Sequence, residues 1–250
     1  MKFYDANMCL GRGMLAVHGA AATAGDLLGA MDRSGVERAL VWHLFQCEGH
    51  AADGNRLLSA AIVGQPRLTG CWTILPPQTM ELPAPQVFFN DMAANNARAL
   101  RAFPGHHNYL LRRSVFGGFL DEIAERRIPL LLSLQRHVTW EGVGAFLEDY
   151  PLLTCILCDT GIWGQDRRIY PLLERFKRAL VDTSLLSLEA GGLETTVRRF
   201  GPERFVFGSG FPERYTESAM LDLLHSDVPE SGKDLIAHGN IERLLAEVRL

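Results

Sequence analysis

The amino-acid sequence predicts an α/β fold, a (β/α)8 TIM barrel in a single domain spanning 1–250, and three observations point there. Eight short apolar or β-branched runs recur along the chain, and helical patterns fall between them. One strand and one helix together occupy roughly thirty residues, the rhythm of parallel βα units. The 250 residues accommodate eight such units without a linker or a low-complexity segment to divide them.

The first run is KFYDAN, near 2–7. AGDLLGAMDRSG follows, with Leu27, Leu28 and Met31 on one helical face and Gly35 as a stop. RALVWHL, near 38–44, is the second run and LTGCWTIL, near 68–75, the third. The Pro-rich PPQTMELPAPQ, 76–86, reads as the loop after it. ARALRAF, near 97–103, is the fourth run, and SVFGGFLDEIAERR then sets Phe116, Phe119, Leu120, Ile123 and Ala124 at i, i+3, i+4 spacing. IPLLLSL, near 128–134, precedes the helical WEGVGAFLEDYP, and LTCILCD, near 153–159, precedes YPLLERFK. RALVDTSL, near 178–185, and RFVFGS, near 204–209, close the series, with TESAMLDLLHSD as a last amphipathic helix. Most runs are near-continuous, as expected of parallel strands covered on both faces. No Gly-rich dinucleotide fingerprint follows an early strand, which argues against an open doubly wound sheet.

Composition narrows the function classes. The formal net charge is −4, and the basic pairs Arg112-Arg113, Arg126-Arg127 and Arg198-Arg199 read as solvated helix faces. No nucleic-acid partner is expected, because that would need a basic face. Of five cysteines only Cys155 and Cys158 have C-x-x-C spacing, and in a strand they point to opposite faces. They read as buried structural thiols, not as a redox pair or zinc knuckle. MKFYDANMC lacks the apolar region of a signal peptide, and no apolar run reaches membrane length. The expected setting is therefore cytoplasmic, with no membrane partner; a homo-oligomer is compatible with the sequence.

In a barrel of this kind function sits where the strands end. The first end offers Asp5, Asn7 and Cys9, the second His43, and the fourth Arg101, Phe103, His106, His107 and Tyr109. The fifth offers Ser133, Gln135, Arg136 and His137, the sixth Asp159 and Thr160, the seventh Asp182 and Ser184, and the eighth Ser209 and Gly210.

Taken in order, these pieces resemble the amidohydrolase-related family of metal-dependent hydrolase barrels, the branch that also holds decarboxylases and lactonases. FYDANMCLG stands where that family opens with Asp-x-His-x-His. GVERALVW, RLTGCWTILPP, ALRAFPG and RRIPLLLSLQ resemble its second to fifth strands. ILCDTGIWG resembles a strand ending in His-x-Gly, RALVDTSLL the strand after it, and FVFGSGFP the closing Gly-Ser-Asp-x-Pro. HGNIERLL, with Gly239, Asn240 and Leu244-Leu245, resembles the family's C-terminal helix opening.

The resemblance implies five metal-holding positions, and here they read Asn7, Cys9, Ser133, Thr160 and Gly210. A divalent metal needs three or four good donors converging at about 2.3 Å or less. Asn and Ser are weak zinc ligands, glycine has no side chain, and one thiolate does not make a site. The family's final Asp also takes a proton from bound water, which Gly210 cannot do. No cofactor is expected, and a divalent metal only through a rebuilt site, around Cys9 and His43.

Other residues then become the candidates. His43, Asp159 and Cys9 are the candidate catalytic groups: His43 for its strand-end imidazole, Asp159 if it turns inward, and Cys9 if His43 lowers its pKa. Asn7, Arg101, His106, Ser133, Arg136, Thr160 and Ser209 are the candidate substrate-binding residues, and the guanidiniums of Arg101 and Arg136 suit a carboxylate. Each has a plainer reading as core packing, solvated loop or surface ion pair. Trp72, Trp140 and Trp163 could wall an apolar pocket. The expected function is a metal-independent hydrolase or lyase acting on a small carboxylate or lactone held in the barrel mouth. The alternative is a non-catalytic barrel that binds a small ligand or a protein partner.

Overall fold

The computed structural model describes residues 1–14, 17–136, 138–160, 166–185 and 191–250. Trp163 and His137, two residues singled out above, lie outside them. Eight parallel strands follow one another in a single sheet: β1 (Tyr4–Leu10), β2 (Arg38–His43), β3 (Leu68–Thr73), β4 (Ala97–Arg101), β5 (Leu130–Ser133), β6 (Cys155–Cys158), β7 (Ala179–Asp182) and β8 (Phe205–Val206). The sheet closes on itself where Ala6 N donates to Phe207 O at 2.8 Å and Cys9 N to Phe211 O at 2.9 Å. This is the expected (β/α)8 barrel. A helix follows each strand: Ala24–Ser34, Ala51–Ile62, Pro85–Ala94, Gly118–Glu125, Trp140–Asp149, Asp166–Arg175, Gly192–Phe200 and Thr216–His225.

The helix ends have local causes. Thr23 caps Ala24–Ser34 in a capping box with Asp26, and Gly35 ends it in the left-handed conformation with φ 81°. Thr139 caps Trp140–Asp149 by accepting from Gly142 N. The strands are shorter than their apolar runs, most of all β8, which keeps two residues of the expected six. Beyond Val206 the pairing with β7 is replaced by other partners: Phe207 N donates to Ile236 O, and Gly208 N to Thr183 Oγ1.

Strand alternation divides the core in two. Val41, Leu100, Leu130, Leu132, Cys155, Leu157 and Val181 face the helices, meeting Leu27, Met31, Phe88, Phe89 and Leu173. Tyr4, Ala6, Leu40, Trp42, Cys71, Ala99, Leu131, Ile156, Cys158, Leu180 and Val206 fill the barrel, and Ile241, Leu244 and Leu245 plug its lower end. Cys155 and Cys158 fall on opposite sides, as their spacing predicts. The lower plug comes from the helix Asn240–Ala246. Asn240 is buried, and its Nδ2 donates to Pro202 O at 2.9 Å and to Phe205 O at 2.8 Å, tying that helix to the foot of β8.

Replacing Asn240 by Ala takes the side-chain donor from the buried Phe205 carbonyl, while Pro202 O keeps Phe205 N, so Asn240→Ala is expected to lower stability by about 1–3 kcal/mol. Urea denaturation followed by far-UV circular dichroism measures it; an unchanged midpoint would show that the plug is held by apolar contact alone.

Candidate functional site

At the upper end of the barrel the interior turns from apolar to charged. Arg101, at the end of β4, is 1% exposed, with its guanidinium 4.7 Å over the Trp42 ring. Its Nη2 donates to Asn7 Oδ1 at 2.7 Å. The Asn7 amide turns its other end to the carboxylates, with Nδ2 at 2.9 Å from Asp182 Oδ2 and 3.4 Å from Asp159 Oδ1. A register shift in β1 between Asp5 and Met8 sets this orientation, supported by Asp5 Oδ1, which accepts from Asn7 N and from Ser209 N.

Asp159 is the centre of the cluster. It follows β6 with φ 58°, the left-handed region, where a non-glycine residue is uncommon. Asp159 N donates to Asp182 Oδ1 at 3.2 Å and to Ser184 Oγ at 3.1 Å. Its carboxylate accepts from Ser133 Oγ on Oδ2, and from Arg214 Nη1 at 2.9 Å and Ser184 Oγ at 3.2 Å on Oδ1. Asp159 therefore faces inward, one of the two directions its strand-end position allowed. Asp182, wholly buried, is pushed up to about 7, first by loss of solvation and then by the Asp159 charge. Asp5 is pushed up to about 6 by burial.

Gly208 and Gly210 show why the closing turn is bare. A Cβ at Gly208 would lie 2.8 Å from Asp182 Oδ2 and 3.2 Å from Asn7 Cβ, so the cluster itself fills that space. Ser209 between them turns its hydroxyl to the backbone, where Oγ accepts from Phe211 N at 3.1 Å. The candidate binding residue Ser209 is thus fully buried and shapes the loop.

The remaining candidates divide. Ser133, Asn7, Arg101 and Asp159 come together. Thr160 is buried and lines with Asp159, Gln135 and Trp140 a cleft of about 800 Å³; its Oγ1 has no hydrogen-bond partner among the described residues. Arg136 and Cys9 line a second cleft of about 770 Å³. Arg136 pairs with Glu213 and lies 5.4 Å over Trp42. The two clefts are lined by the consecutive residues Gln135 and Arg136, and Glu213 lines the second beside Arg136.

The Cys9–His43 pairing is not formed. Cys9 is in register with Trp42 and faces the barrel, whereas His43 is in register with Leu10 and faces out. The His43 ring lies against Gly11, its Nδ1 accepts from Phe45 N at 3.1 Å, and burial lowers its pKa. Burial pushes the Cys9 thiol up, the opposite of activation. His106 sits half-buried in the turn after β4 and is not among the residues lining the two clefts. Trp72 faces the helices, stacking edge-on against Phe88 and donating to Ser59 Oγ, and there it walls a pocket of about 550 Å³ with Leu82, Pro83 and Phe88, away from the mouth.

Arg214 was not a candidate, although it contributes a charge to the centre. Its one sequence signal was indirect: a glycine at 210 leaves room for a side chain from elsewhere. The donors at the five positions do not fit a divalent metal. Asn7 turns N–H groups to the carboxylates, a guanidinium sits on Asp159, and among the described residues no group of three or more His, Cys, Asp or Glu converges.

No protein-family model matches the chain, and no curated protein matches it. Solved structures do. A 5-carboxyvanillate decarboxylase from Sphingomonas paucimobilis superposes with a TM-score of 0.75 at 15% identity, over 99% of each chain. A dihydroxybenzoic acid decarboxylase from Polaromonas, with bound manganese and an inhibitor, gives 0.75 at 14%, covering 100% of this chain and 98% of that one. A probable 2-pyrone-4,6-dicarboxylic acid hydrolase from Acinetobacter baumannii, with citric acid bound, gives 0.73 at 14%, covering 98% and 100%. The chain shares their fold. At these identities the likeness concerns the barrel and its connections. No helix among the described residues is long and apolar enough to cross a membrane.

The raised Asp182 makes a pH prediction. Unfolded, this carboxyl releases its proton near 3.8; folded, it keeps it to about 7. Between those values the folded chain binds more protons than the unfolded one, so stability falls as pH rises through that window. Asp182→Asn does not titrate, and its urea midpoint should fall less steeply over the same window. A variant slope equal to that of the unaltered protein would place Asp182 in an ordinary environment.

Proposed function

We propose that this barrel is a divergent, metal-independent member of the amidohydrolase-related group, a hydrolase or lyase acting on a small carboxylate or lactone. The observation that carries the reading is Asp159: an inward carboxylate in a left-handed conformation, sharing the Ser184 hydroxyl with the buried, raised Asp182 and lining a cleft at the mouth. Held backbone strain and displaced pKa values are features that gather at functional sites. Neighbours of the same fold are named as decarboxylases of aromatic acids and as a probable pyrone dicarboxylic acid hydrolase, which supports the hydrolase or lyase class.

In this reading Asp159 moves the proton. For a lactone it accepts a proton from the water that attacks the ring carbonyl and returns it to the ring oxygen, which leaves as a hydroxyl. For a carboxylate the proton held on Asp182 passes through Ser184 and Asp159 to the carbon from which carbon dioxide departs, leaving Asp182 ionised until solvent returns a proton. Ser133 and Ser184 orient it, and the buried Asp182 keeps a proton in reserve. Arg136, in the second cleft, anchors the substrate's carboxylate by exchange with Glu213. Leu134, Val138, Trp140 and Leu185 line the wall beside Asp159 and suit an apolar ring.

A second reading rests on the same centre. Both oxygens of Asp159 already accept hydrogen bonds, and Arg136 and Arg214 are both paired with carboxylates of the chain. A centre satisfied in this way suits a barrel that holds a small ligand without turning it over.

A panel of small carboxylates and lactones, read by thermal shift and by product formation, separates the two. Turnover that falls about 10²- to 10⁴-fold in Asp159→Asn is expected of a proton-transfer group. Arg136→Ala should raise KM with little change in kcat. Binding without product from any compound favours the ligand-binding barrel, and a panel without a binder contradicts both readings.

A further inference from the structure

Gly210 has φ 71°, and a Cβ there would lie 2.4 Å from Arg214 Nη1 and 3.4 Å from Asp159 Oδ1. A side chain at 210 would therefore push the guanidinium of Arg214 out of this position. Arg214 reaches this point from four residues downstream, and its other arm is fixed by Gln135 Oε1 at 2.6 Å. The ion pair is shielded, with the Arg214 and Asp159 side chains 19% and 10% exposed. Asp159 and Asp182 are close enough to share one hydroxyl, Ser184 Oγ, at 3.2 and 2.7 Å. With Asp182 holding its proton, the negative charge rests on Asp159, and a shielded carboxylate needs a compensating cation. Arg101 directs its Nη2 to Asn7 Oδ1. The cation in direct contact with a carboxylate of the pair is Arg214.

We propose that Arg214 is a tethered cation, standing in from the chain itself for a divalent ion among the oxygens of Asp159, Asp182, Ser133 and Ser184. The inference concerns charge and is independent of whether the barrel turns over a substrate. It accounts for the glycine at 210, which leaves the space the guanidinium enters. It also accounts for the donor set: carboxylates and hydroxyls are the oxygen ligands hard divalent cations take, but a guanidinium needs only acceptors and no fixed coordination number. Taking the guanidinium away leaves the same oxygens converging with no positive charge on Asp159. Such a centre should take up a divalent cation that the unaltered protein ignores.

The test is manganese(II) binding to the full chain, followed by electron paramagnetic resonance of free manganese and by thermal shift. Arg214→Ala should bind one manganese at least tenfold more tightly than the unaltered protein, with a raised Tm. Arg214→Lys should behave like the unaltered protein, because a cation remains. Arg214→Ala combined with Asp159→Asn should lose the gain, which distinguishes this site from adventitious surface carboxylates. If Arg214→Ala is recovered unfolded, manganese should restore its far-UV spectrum, and Arg214→Gln offers a second variant of closer volume. Either variant binding manganese no better than the unaltered protein, with no rescue of folding, overturns the proposal. So does stoichiometric binding while Arg214 is intact, or a gain that survives in the double variant.

Discussion

A carboxylate leaving the sixth strand and a guanidinium from the loop after the eighth meet at 2.9 Å, and the barrel mouth is arranged around that contact. To present its carboxylate there, Asp159 adopts the left-handed conformation, which its N–H bonds to Asp182 and Ser184 hold. To receive Arg214, position 210 has no side chain. Asn7 and Arg101 complete the cluster from the opposite wall, with the neutral Asn7 amide between the Arg101 guanidinium and the carboxylates. Removing one member of such a set costs more than the isolated pair is worth, because the partner is left buried and uncompensated.

The proposed balance describes how a barrel with the connections of its structural neighbours would carry a centre of its own. The strands and the helices behind them are held by apolar burial, which is indifferent to the chemistry at the strand ends. At the mouth, the proposal gives to side chains of the chain the charge balance that an ion would otherwise supply. The neighbours of the same fold include one with manganese bound.

The fold was largely legible in the sequence, because each run that must be buried on both faces is apolar nearly throughout. The eighth strand was the weakest element: FVFGS reads as extended, but only Phe205–Val206 pair with β7, while Phe207 N and Gly208 N bond to Ile236 O and Thr183 Oγ1. Within the site, legibility followed sequence distance. Asn7, Arg101, Ser133 and Thr160 were visible as strand-end positions. The direction of His43 was open to inference too, since Leu40 and Trp42 alternate inward and leave His43 outside. The inward turn of Asp159 was not, because it depends on bonds to residues more than twenty positions away. Arg214 was hidden for the same reason: its partner lies 55 residues upstream, and only the missing side chain at 210 marked its place.

The central claim is that charge at the mouth is balanced by the chain's own groups. Elemental analysis of protein purified without chelator tests it most directly, by mass spectrometry of zinc, manganese, iron and magnesium per chain. The account predicts no stoichiometric metal. One equivalent of any of them, retained through gel filtration, would contradict it and require a centre rebuilt around an ion.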